Sequence, residues 1–289
     1  NDPLLELIDN NITKISHAIR SLRLGDGTLA RINGGRSYSR DAIDKVLEKT
    51  GIKLRSRISS SLTTSGYERL ASGRSIIIMD CSHNSKDVYN GLLSFEMSVG
   101  RDRLIVNCGP APNNEKNWEK ALASSAAHSC LVINNTNSSS VKNNTKTKIN
   151  VTREVTSGFE IISAKHNGYE TLYSAIHKRV LKLDARGTFL KGVDHIISGP
   201  GIEFKIHFHL HHKVNVSITR NKERILLQLP SGVWEFFVLK NNTSLNLNIE
   251  KSIYLEDNGL IKNTNQFIIN GKTINSGTNI EWCLSKKNL

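Results

Sequence analysis

The sequence predicts a mainly β protein, in which a large antiparallel, multi-stranded β-sandwich follows a short α-helical N-terminal segment. After Leu54, short runs rich in Ile, Val, Phe and Thr alternate with clusters of Gly, Asn, Asp and Ser to the end of the chain. Regularly spaced short strands with such turn residues are typical of a sandwich rather than of βαβ units. Before Leu54, apolar residues recur at helical spacing. We therefore expect a helical leader at 1–54 and a sandwich domain at 55–289.

The first helix is predicted at residues 3–24, where Gly25 and Gly27 are expected to end it. An amphipathic helix has to bury its apolar face. This one either lies across the β domain or is the last helix of an absent helical domain, and both alternatives are open. Two further helices are predicted at 41–50 and 115–125. The apolar residues that share one face of the first helix are Leu4, Leu5, Ile8, Ile12, Ile15, Ile19 and Leu22.

The rest of the chain is predicted to be strands and turns, with a loop in the polar, low-complexity segment 134–150. The predicted strands are 57–64, 66–70, 74–80, 92–99, 103–107, 130–134, 149–155, 158–164, 176–183, 188–196, 203–210, 213–219, 223–229, 233–239, 244–249, 252–255, 265–270 and 279–284.

The composition fits a globular domain with a sizeable core. The chain has 289 residues, of which 38% are hydrophobic. It contains no apolar run of about 18 residues, so no membrane span is predicted. The four cysteines lack C-x-x-C spacing, which excludes a zinc ribbon and favours buried free thiols. Because the first residue is Asn1 rather than Met, we expect a mature or truncated piece.

The charge balance is strongly basic. Lysine and arginine number 39 against 26 acidic residues, which gives a net charge of +13. Such a balance favours polyanionic partners, and nucleic acid and acidic polysaccharide satisfy it equally well. A third interpretation is compositional drift in a chain rich in Lys, Asn and Ile.

A histidine-rich strand is the most conspicuous candidate for chemistry, because the hydrolase, phosphate-loop, dinucleotide and zinc-protease motifs are absent. His207, His209 and His211 alternate along it and would face one side. Three imidazoles on one face could bind a metal. Alternatively they line a polar surface or satisfy a buried carbonyl, and the lack of a carboxylate in the run favours this second interpretation.

An ordered series of segments resembles the C-terminal domain of the heparinase II/III-like family. The resemblance covers roughly residues 20 to 285. It is carried by SGYERLASGRSIIIMDC (65–81), NGLLSFEMSVGRDRLIVNCG (90–109), ALASSAAHSCLVIN (121–134), AKHNGYETLYSAIHKRVLKL (164–183), FHLHH (208–212), KSIYL (251–255) and IEW (280–282).

The resemblance implies an enzyme with two domains, an N-terminal α/α toroid and a C-terminal β-sandwich that closes one side of its cleft. Family members cleave acidic polysaccharides by β-elimination, in which a base removes the proton beside the uronate carboxylate and an acid protonates the leaving oxygen. Residues 1–24 would be the last toroid helix. Because the rest of the toroid and its tyrosine are absent, the chain alone is expected to be inactive. The family also implies a periplasmic or secreted bacterial location.

The family's site residues carry over only in part. Asp87 and Tyr89 stand where family members have two histidines, and Asn107 stands where some members have an aspartate that helps bind a structural metal. The downstream histidine is kept as His128. One ligand of three does not make a zinc site, so neither a metal nor another cofactor is predicted. His128 is the best candidate for an active-site residue, although it could instead be a histidine that packs at the start of a strand and bonds to the backbone. Tyr89 is a candidate for a proton carrier or sugar platform.

Other candidates could contact substrate, each with an ordinary alternative. His83 could substitute for a displaced histidine or be a plain loop residue. His166 and Tyr169 could bind substrate, or Tyr169 could anchor a turn by packing. Arg69 and Arg101, in a group with Arg74 and Arg103, suit uronate or sulfate groups but could equally be solvated edge arginines.

The sequence therefore supports two main hypotheses. The first is a polysaccharide lyase acting on a uronate polysaccharide of heparin, heparan or alginate type, with this chain as its sandwich half. The second is a carbohydrate-binding or scaffold domain that has lost the chemistry, which the loss of the histidine pair at Asp87 and Tyr89 favours. Nucleic-acid binding lacks any recognisable motif and is not predicted.

Overall fold

The computed structural model confirms the predicted sandwich. It describes residues 2–36, 38–51, 58–62, 65–82, 89–112, 116–138, 147–156, 158–239, 244–256, 258–274 and 277–287. The helices are α1 (Pro3–Ser21), α2 (Arg40–Lys49), α3 (Lys116–Leu122) and α4 (Glu170–Tyr173), with a 3₁₀ turn at Ser125–Ala127.

Short strands follow one another along the rest of the chain. In order they are β1 (Ser61–Leu62), β2 (Tyr67–Ser72), β3 (Ser75–Asp80), β4 (Phe95–Val99), β5 (Asp102–Val106), β6 (Leu131–Ile133), β7 (Ile149–Thr156), β8 (Phe159–Tyr169), β9 (Ala175–Asp184), β10 (Phe189–Ile197), β11 (Glu203–Leu210), β12 (Asn215–Ile218), β13 (Arg224–Leu229), β14 (Gly232–Val238), β15 (Asn246–Leu255), β16 (Ile261–Lys272) and β17 (Thr278–Lys286).

These strands form two antiparallel sheets. Among the described residues, sheet 1 has nine strands in the order β1-β2-β3-β4-β5-β11-β16-β15, with β6 also paired to β11. Sheet 2 has eight strands in the order β12-β13-β14-β17-β10-β9-β8-β7. The candidate site lies on sheet 1, in the connection from β3 to β4 and in the segment that precedes β6.

The core lies between the two sheets and follows from the two-residue period of a strand. In β9, burial alternates residue by residue, so that Leu181 and Leu183 face inward. Aromatic rings fill the centre: the ring centroids of Phe208 and Phe267 lie 4.8 Å apart, and those of Phe95 and Trp282 lie 6.0 Å apart. Each such ring removes a large apolar area from water, which is the main stabilising contribution to the sandwich.

Several predicted boundaries differ from the structure. The first helix ends at Ser21, before the two glycines that were expected to end it. The predicted strands 244–249 and 252–255 are one strand, β15. Predicted strand 92–99 begins only at Phe95, because Leu93 adopts a left-handed conformation with φ of 57° in a preceding turn.

The apolar face of α1 is exposed along the first four turns of the helix. Leu4, Leu5 and Ile15 are each about 60% exposed, at 61%, 59% and 59%. Of the two open alternatives, the one in which this helix lies across the β domain does not hold for residues 4–15, and only the C-terminal part of the helix has buried residues. No helix within the described residues combines the length and the hydropathy that crossing a membrane requires.

All four cysteines are free and buried, as the spacing predicted: Cys81, Cys108, Cys130 and Cys283.

Candidate functional site

Tyr89 and His128 meet at one end of sheet 1. Tyr89 lies in the connection from β3 to β4, and His128 lies between the 3₁₀ turn and β6. Their ring centroids are 6.1 Å apart, edge to face. The Tyr89 ring also packs on the backbone of Gly34, where a side chain would collide with it. The structure thus brings together two of the site residues that the sequence predicts.

The His128 imidazole is held in one tautomer. Its Nδ1 lies 2.8 Å from the carbonyl oxygen of Ser124, and a carbonyl only accepts, so Nδ1 carries the proton. Nε2 then has a lone pair, and within the described residues it has no hydrogen-bond partner. Burial lowers the pKa of His128 to about 4. The ring is therefore neutral at pH 7, with Nε2 able to accept a proton or a hydrogen bond.

A tight turn at Asn90 and Gly91 packs against the His128 ring. A side chain at Gly91 would bring its Cβ within 2.6 Å of the His128 ring, so only glycine fits there. The neighbouring Asn90 donates from both its backbone N–H and its side-chain amide to the Ala123 carbonyl, at 2.9 Å each. Its own carbonyl accepts from Ser125 Oγ at 2.6 Å. These bonds fix the loop before β6 against the turn before β4.

Asn107 has a structural role rather than a ligand's role. Its side chain is fully buried, its Oδ1 accepts from the Ser129 N–H at 2.9 Å, and its Nδ2 donates to the Arg31 carbonyl at 3.1 Å. These two bonds hold the amide in place between the segments that carry Arg31 and Ser129. With Tyr89 in the place of a family histidine, the residues present do not fit the family's structural metal.

The histidines of β11 are engaged in hydrogen bonds. His207 and His209 stack on the outer face of sheet 1 with ring centroids 5.9 Å apart. Both nitrogens of His209 have partners, Ser252 Oγ at 2.7 Å and the Ala126 carbonyl at 2.9 Å. His211 contacts Tyr254 beyond the end of the strand, at 4.6 Å between centroids. The geometry therefore favours the second interpretation, in which these rings line a polar face and satisfy a carbonyl.

A buried polar network runs beneath the site, between the sheets. The Asp194 carboxylate accepts from His177 Nε2 at 2.7 Å, from Arg179 Nε at 2.7 Å and from Trp282 Nε1 at 2.9 Å. Arg179 and His177 hold the pKa of Asp194 below its usual range against the opposing effect of burial. A fully buried carboxylate is tolerated here because three donors saturate it.

The network fixes the tautomers of two further histidines. Since His177 Nε2 donates to the Asp194 carboxylate, His177 Nδ1 is an acceptor, and it accepts a hydrogen bond from His166 Nε2–H at 3.2 Å. His166 Nδ1 in turn accepts from the Gly168 N–H at 3.1 Å. Burial is the largest cause of the lowered pKa values of both histidines. Both rings are therefore neutral, and every ring nitrogen is used.

Arg179 connects this network to the candidate site. Its NH1 donates to the carbonyls of Leu93 at 2.8 Å and of Ser129 at 2.9 Å. Leu93 lies in the turn that supports His128, and Ser129 follows His128 in the chain. Sequence reasoning missed Arg179 and Asp194. The two-residue period of β9 is a signal for Arg179, because it places this arginine on the same face as Leu181 and Leu183.

His166 and Tyr169 lie in the core. Each is at most 1% exposed, and the Tyr169 hydroxyl donates to the Leu131 carbonyl at 2.8 Å. This geometry supports the alternative that Tyr169 anchors the end of β8 by packing. The prediction that either residue contacts substrate remains a prediction.

The predicted arginines lie apart from His128. Arg69 is buried, and its NH1 donates to the carbonyls of Ser21 and Arg23 at 3.1 and 2.8 Å, where a cation suits the C-terminal end of α1. Arg103 is also buried, 2.7 Å from Asp26 and 3.2 Å from Glu96, so the solvated-edge alternative is wrong for both. Arg101 is exposed, in the turn at the end of β4 remote from Tyr89. His83 and Asp87 lie outside the described residues.

A polar groove opens at the other end of β6 and β11. Its cavity volume is about 530 Å³, within the usual range for ligand pockets. Val132 and Phe204 contribute apolar lining, and the polar lining includes Lys205, an ion pair of Lys272 with Glu203 at 3.1 Å, and side-chain amides. Those amides belong to Asn134, Asn135, Asn246 and Asn270. Side-chain amides and ammonium groups suit sugar hydroxyls and carboxylates.

Comparison with known proteins identifies relatives along nearly the whole chain. The family model described as heparinase II/III-like, C-terminal, matches residues 54–283. FtsZ-localized protein C of Caulobacter vibrioides is 26% identical in an alignment that covers 98% of this chain and 53% of that protein. The chain thus spans about half the length of this relative.

Solved structures share the fold at low identity. The heparan sulfate lyase HepC of Pedobacter heparinus superposes with a TM-score of 0.78 at 15% identity, over 94% of this chain and 46% of that one. A heparinase III structure gives 0.76 at 13% identity, over 100% of this chain and 49% of that one. These likenesses extend the family match to the three-dimensional fold.

Proposed function

Because the chain belongs to the heparinase II/III-like family, we propose that it forms the sandwich side of the cleft in a polysaccharide lyase. The substrate is an acidic, uronate-containing polysaccharide, and the reaction is β-elimination. The observation that carries this proposal is the tautomer of His128, whose Nε2 is a neutral acceptor without a partner among the described residues. His209, with both nitrogens bonded, has no such capacity.

β-Elimination assigns distinct tasks to the groups at this end of sheet 1. A base takes the proton on the carbon beside the carboxylate, the bond to the glycosidic oxygen breaks, and a double bond forms in the sugar that carried the proton. The departing oxygen gains a proton. We propose that His128 Nε2 accepts a proton in the cleft and that Tyr89, packed on its edge, carries one or supports the sugar ring. A neutral imidazole cannot neutralise the uronate carboxylate, so cationic groups elsewhere in the cleft have that task.

The groove at the other end of β6 supports the same substrate class. Its amides offer hydrogen bonds and Lys205 offers a positive charge to a uronate chain extending across sheet 1 from His128, while Lys272 is paired with Glu203. We therefore propose this groove as the part of the sandwich that holds sugar units remote from the bond to be cleaved.

The helical leader at 1–54 is proposed to join the sandwich to a toroid. The exposed apolar face of α1 requires a partner, and the solved relatives are about twice as long as this chain. A preceding helical domain would cover Leu4, Leu5 and Ile15 and complete the cleft.

The test is a β-elimination assay on the protein with its N-terminal domain. Wild type and His128→Ala are incubated with uronate polysaccharides, and the ultraviolet absorbance of the unsaturated product is followed. We expect the absorbance to grow with wild type and to fall at least about 100-fold in rate with His128→Ala. His209→Gln is the matched control and should retain most of the rate. A rate that His128→Ala leaves unchanged would remove His128 from the mechanism.

A second candidate function is glycan binding or scaffolding without catalysis. Two observations favour it: Tyr89 stands in the place of a family histidine, and the Asn107 amide is consumed by structural hydrogen bonds. The relative from Caulobacter, which is more similar in sequence than the solved lyases, is named for localisation with FtsZ rather than for an activity. In this case the protein would retain acidic glycan in the same assay but release no unsaturated product. A periplasmic or secreted location belongs with the lyase proposal, and an FtsZ-associated location with this second one.

A further inference from the structure

Lysines stand directly opposite one another on the outer face of sheet 2. In the register of β8 and β9, Lys165 pairs with Lys178, and in the register of β9 and β10, Lys182 pairs with Lys191. His195 lies beside Lys178 on the next strand. Facing side chains in antiparallel strands have Cβ atoms roughly 5 Å apart. We call these five residues the lysine face.

This arrangement opposes the stability of the sheet, since like charges directly opposite each other are destabilising. Lysine often protects the exposed edge of a sheet from pairing with another chain. That explanation does not apply here, because β8, β9 and β10 each have a paired neighbour on both sides. Protection of a sheet edge therefore does not explain why these lysines face one another.

The positive charge of the lysine face is largely uncompensated. Lys191 forms an ion pair with Glu281 at 2.6 Å. For Lys165, Lys178 and Lys182, no carboxylate of the described residues lies within ion-pair distance. Between the two lysine pairs lie the small side chains of a flat floor, Ser163, Val180 and Val193.

We propose that the lysine face binds an acidic polysaccharide chain that lies across the strands. The pairs lie four residues apart along β9, about 14 Å, so they can contact successive acidic groups of one extended chain. The floor between them has no aromatic ring for bases to stack on, which disfavours single-stranded nucleic acid. Its side chains are too small to enter a lipid surface, and larger apolar residues of the same face, including Ile161 and Ile197, lie outside the space between the pairs. Of these polyanionic partners, a carboxylated or sulfated glycan is the one that fits the lysine face, through complementary charge.

This surface is separate from the candidate site. The inward side chains of the same strands, His177 and Arg179, point through the core toward the loops that carry His128. The outward lysines therefore face away from those loops. The inference rests on the proposed function for its substrate class, and it adds a second contact that would raise the effective concentration of substrate near the cleft.

The experiment compares two variants with the same change of charge. Lys178→Gln with Lys182→Gln removes two of the four lysines of the lysine face, and Lys45→Gln with Lys49→Gln removes two exposed lysines of α2. Affinity for heparin is measured over a range of salt concentrations. We expect the first pair to weaken binding about tenfold at low salt and to lower its salt dependence, and the second pair to change binding less than about twofold.

Further readouts separate the possible outcomes. In wild type, added heparin should shift the NMR signals of the His195 ring, which reports on the face without any substitution. Equal effects of the two double variants, or a loss of DNA binding with heparin binding unchanged, would overturn the inference while leaving the proposed function intact. If wild type binds neither heparin nor alginate, the proposed function fails as well.

Discussion

Two sets of buried histidines in this protein differ in what their nitrogens do. In the core, His166 and His177 use every ring nitrogen in a chain of hydrogen bonds that ends on Asp194. At the end of sheet 1, the one bond that His128 makes to the described residues is from Nδ1 to the Ser124 carbonyl. Burial lowers the pKa values of all three. The comparison shows that a perturbed pKa by itself does not identify a functional histidine. An unused nitrogen separates His128 from His166 and His177, and the buried His207, whose Nδ1 bonds to Gln266, shares this feature.

The two sets are also physically linked. Arg179 binds the Asp194 carboxylate on one side and the carbonyls of Leu93 and Ser129 on the other. The core network thus holds the backbone around His128 in place, while the His128 ring keeps a free lone pair. In a preorganised site, rigid neighbours hold the reactive group in position.

Breaking the link should have the largest effect on stability. Arg179→Met leaves the buried Asp194 without its cation and two carbonyls without their donor. We expect the free energy of unfolding to fall by about 3–5 kcal/mol, as for other broken buried ion pairs. Urea denaturation measures it, and Arg101→Met at an exposed turn should change it by less than about 0.5 kcal/mol. A loss below about 1 kcal/mol for Arg179→Met would mean that the network does not hold the two sheets together.

The buried histidines should make stability depend on pH. Burial lowers the pKa of His209 to about 3, below the value of about 6.5 in the unfolded chain. The unfolded state therefore binds the proton first as pH falls, so that stability is present above pH 6.5 and is lost below it. From pH 7 to pH 5, His209 should account for about 2 kcal/mol of lost stability. Comparing urea denaturation at both pH values, His209→Gln should lose that much less than wild type.

Tyr169→Phe is the non-titrating control for this pH series and should keep the wild-type slope. If His209→Gln also keeps it, His209 is not the source of the pH dependence.

Removing the Tyr169 hydroxyl should have a smaller effect and test its predicted contact with substrate. Tyr169→Phe leaves the Leu131 carbonyl without its donor, and we expect a loss of about 1 kcal/mol in the free energy of unfolding. Binding of acidic glycan should not change, because the hydroxyl is fully buried. Weaker glycan binding with unchanged stability would reverse this assignment and return Tyr169 to the substrate contacts.

The sequence by itself determined the fold class and most strand positions, and it predicted the two candidate site residues that the structure brings together. Strand alternation and turn residues are local signals, so the sandwich could be predicted without knowing which strands pair. Family resemblance identified His128 and Tyr89 from matching segments. It also indicated, from the residues at 87, 89 and 107, that the family's metal ligands are incomplete.

Only the tertiary structure decided which polar side chains are buried and what they bind. His166 and Tyr169 looked like turn residues because the predicted strand stopped at residue 164, whereas β8 continues to Tyr169 and carries both into the core. Arg179 and Asp194 looked like ordinary strand residues because their partners are far apart in the chain. A buried charge is stable only where distant donors and acceptors converge on it, and that convergence is created by the packing of the two sheets.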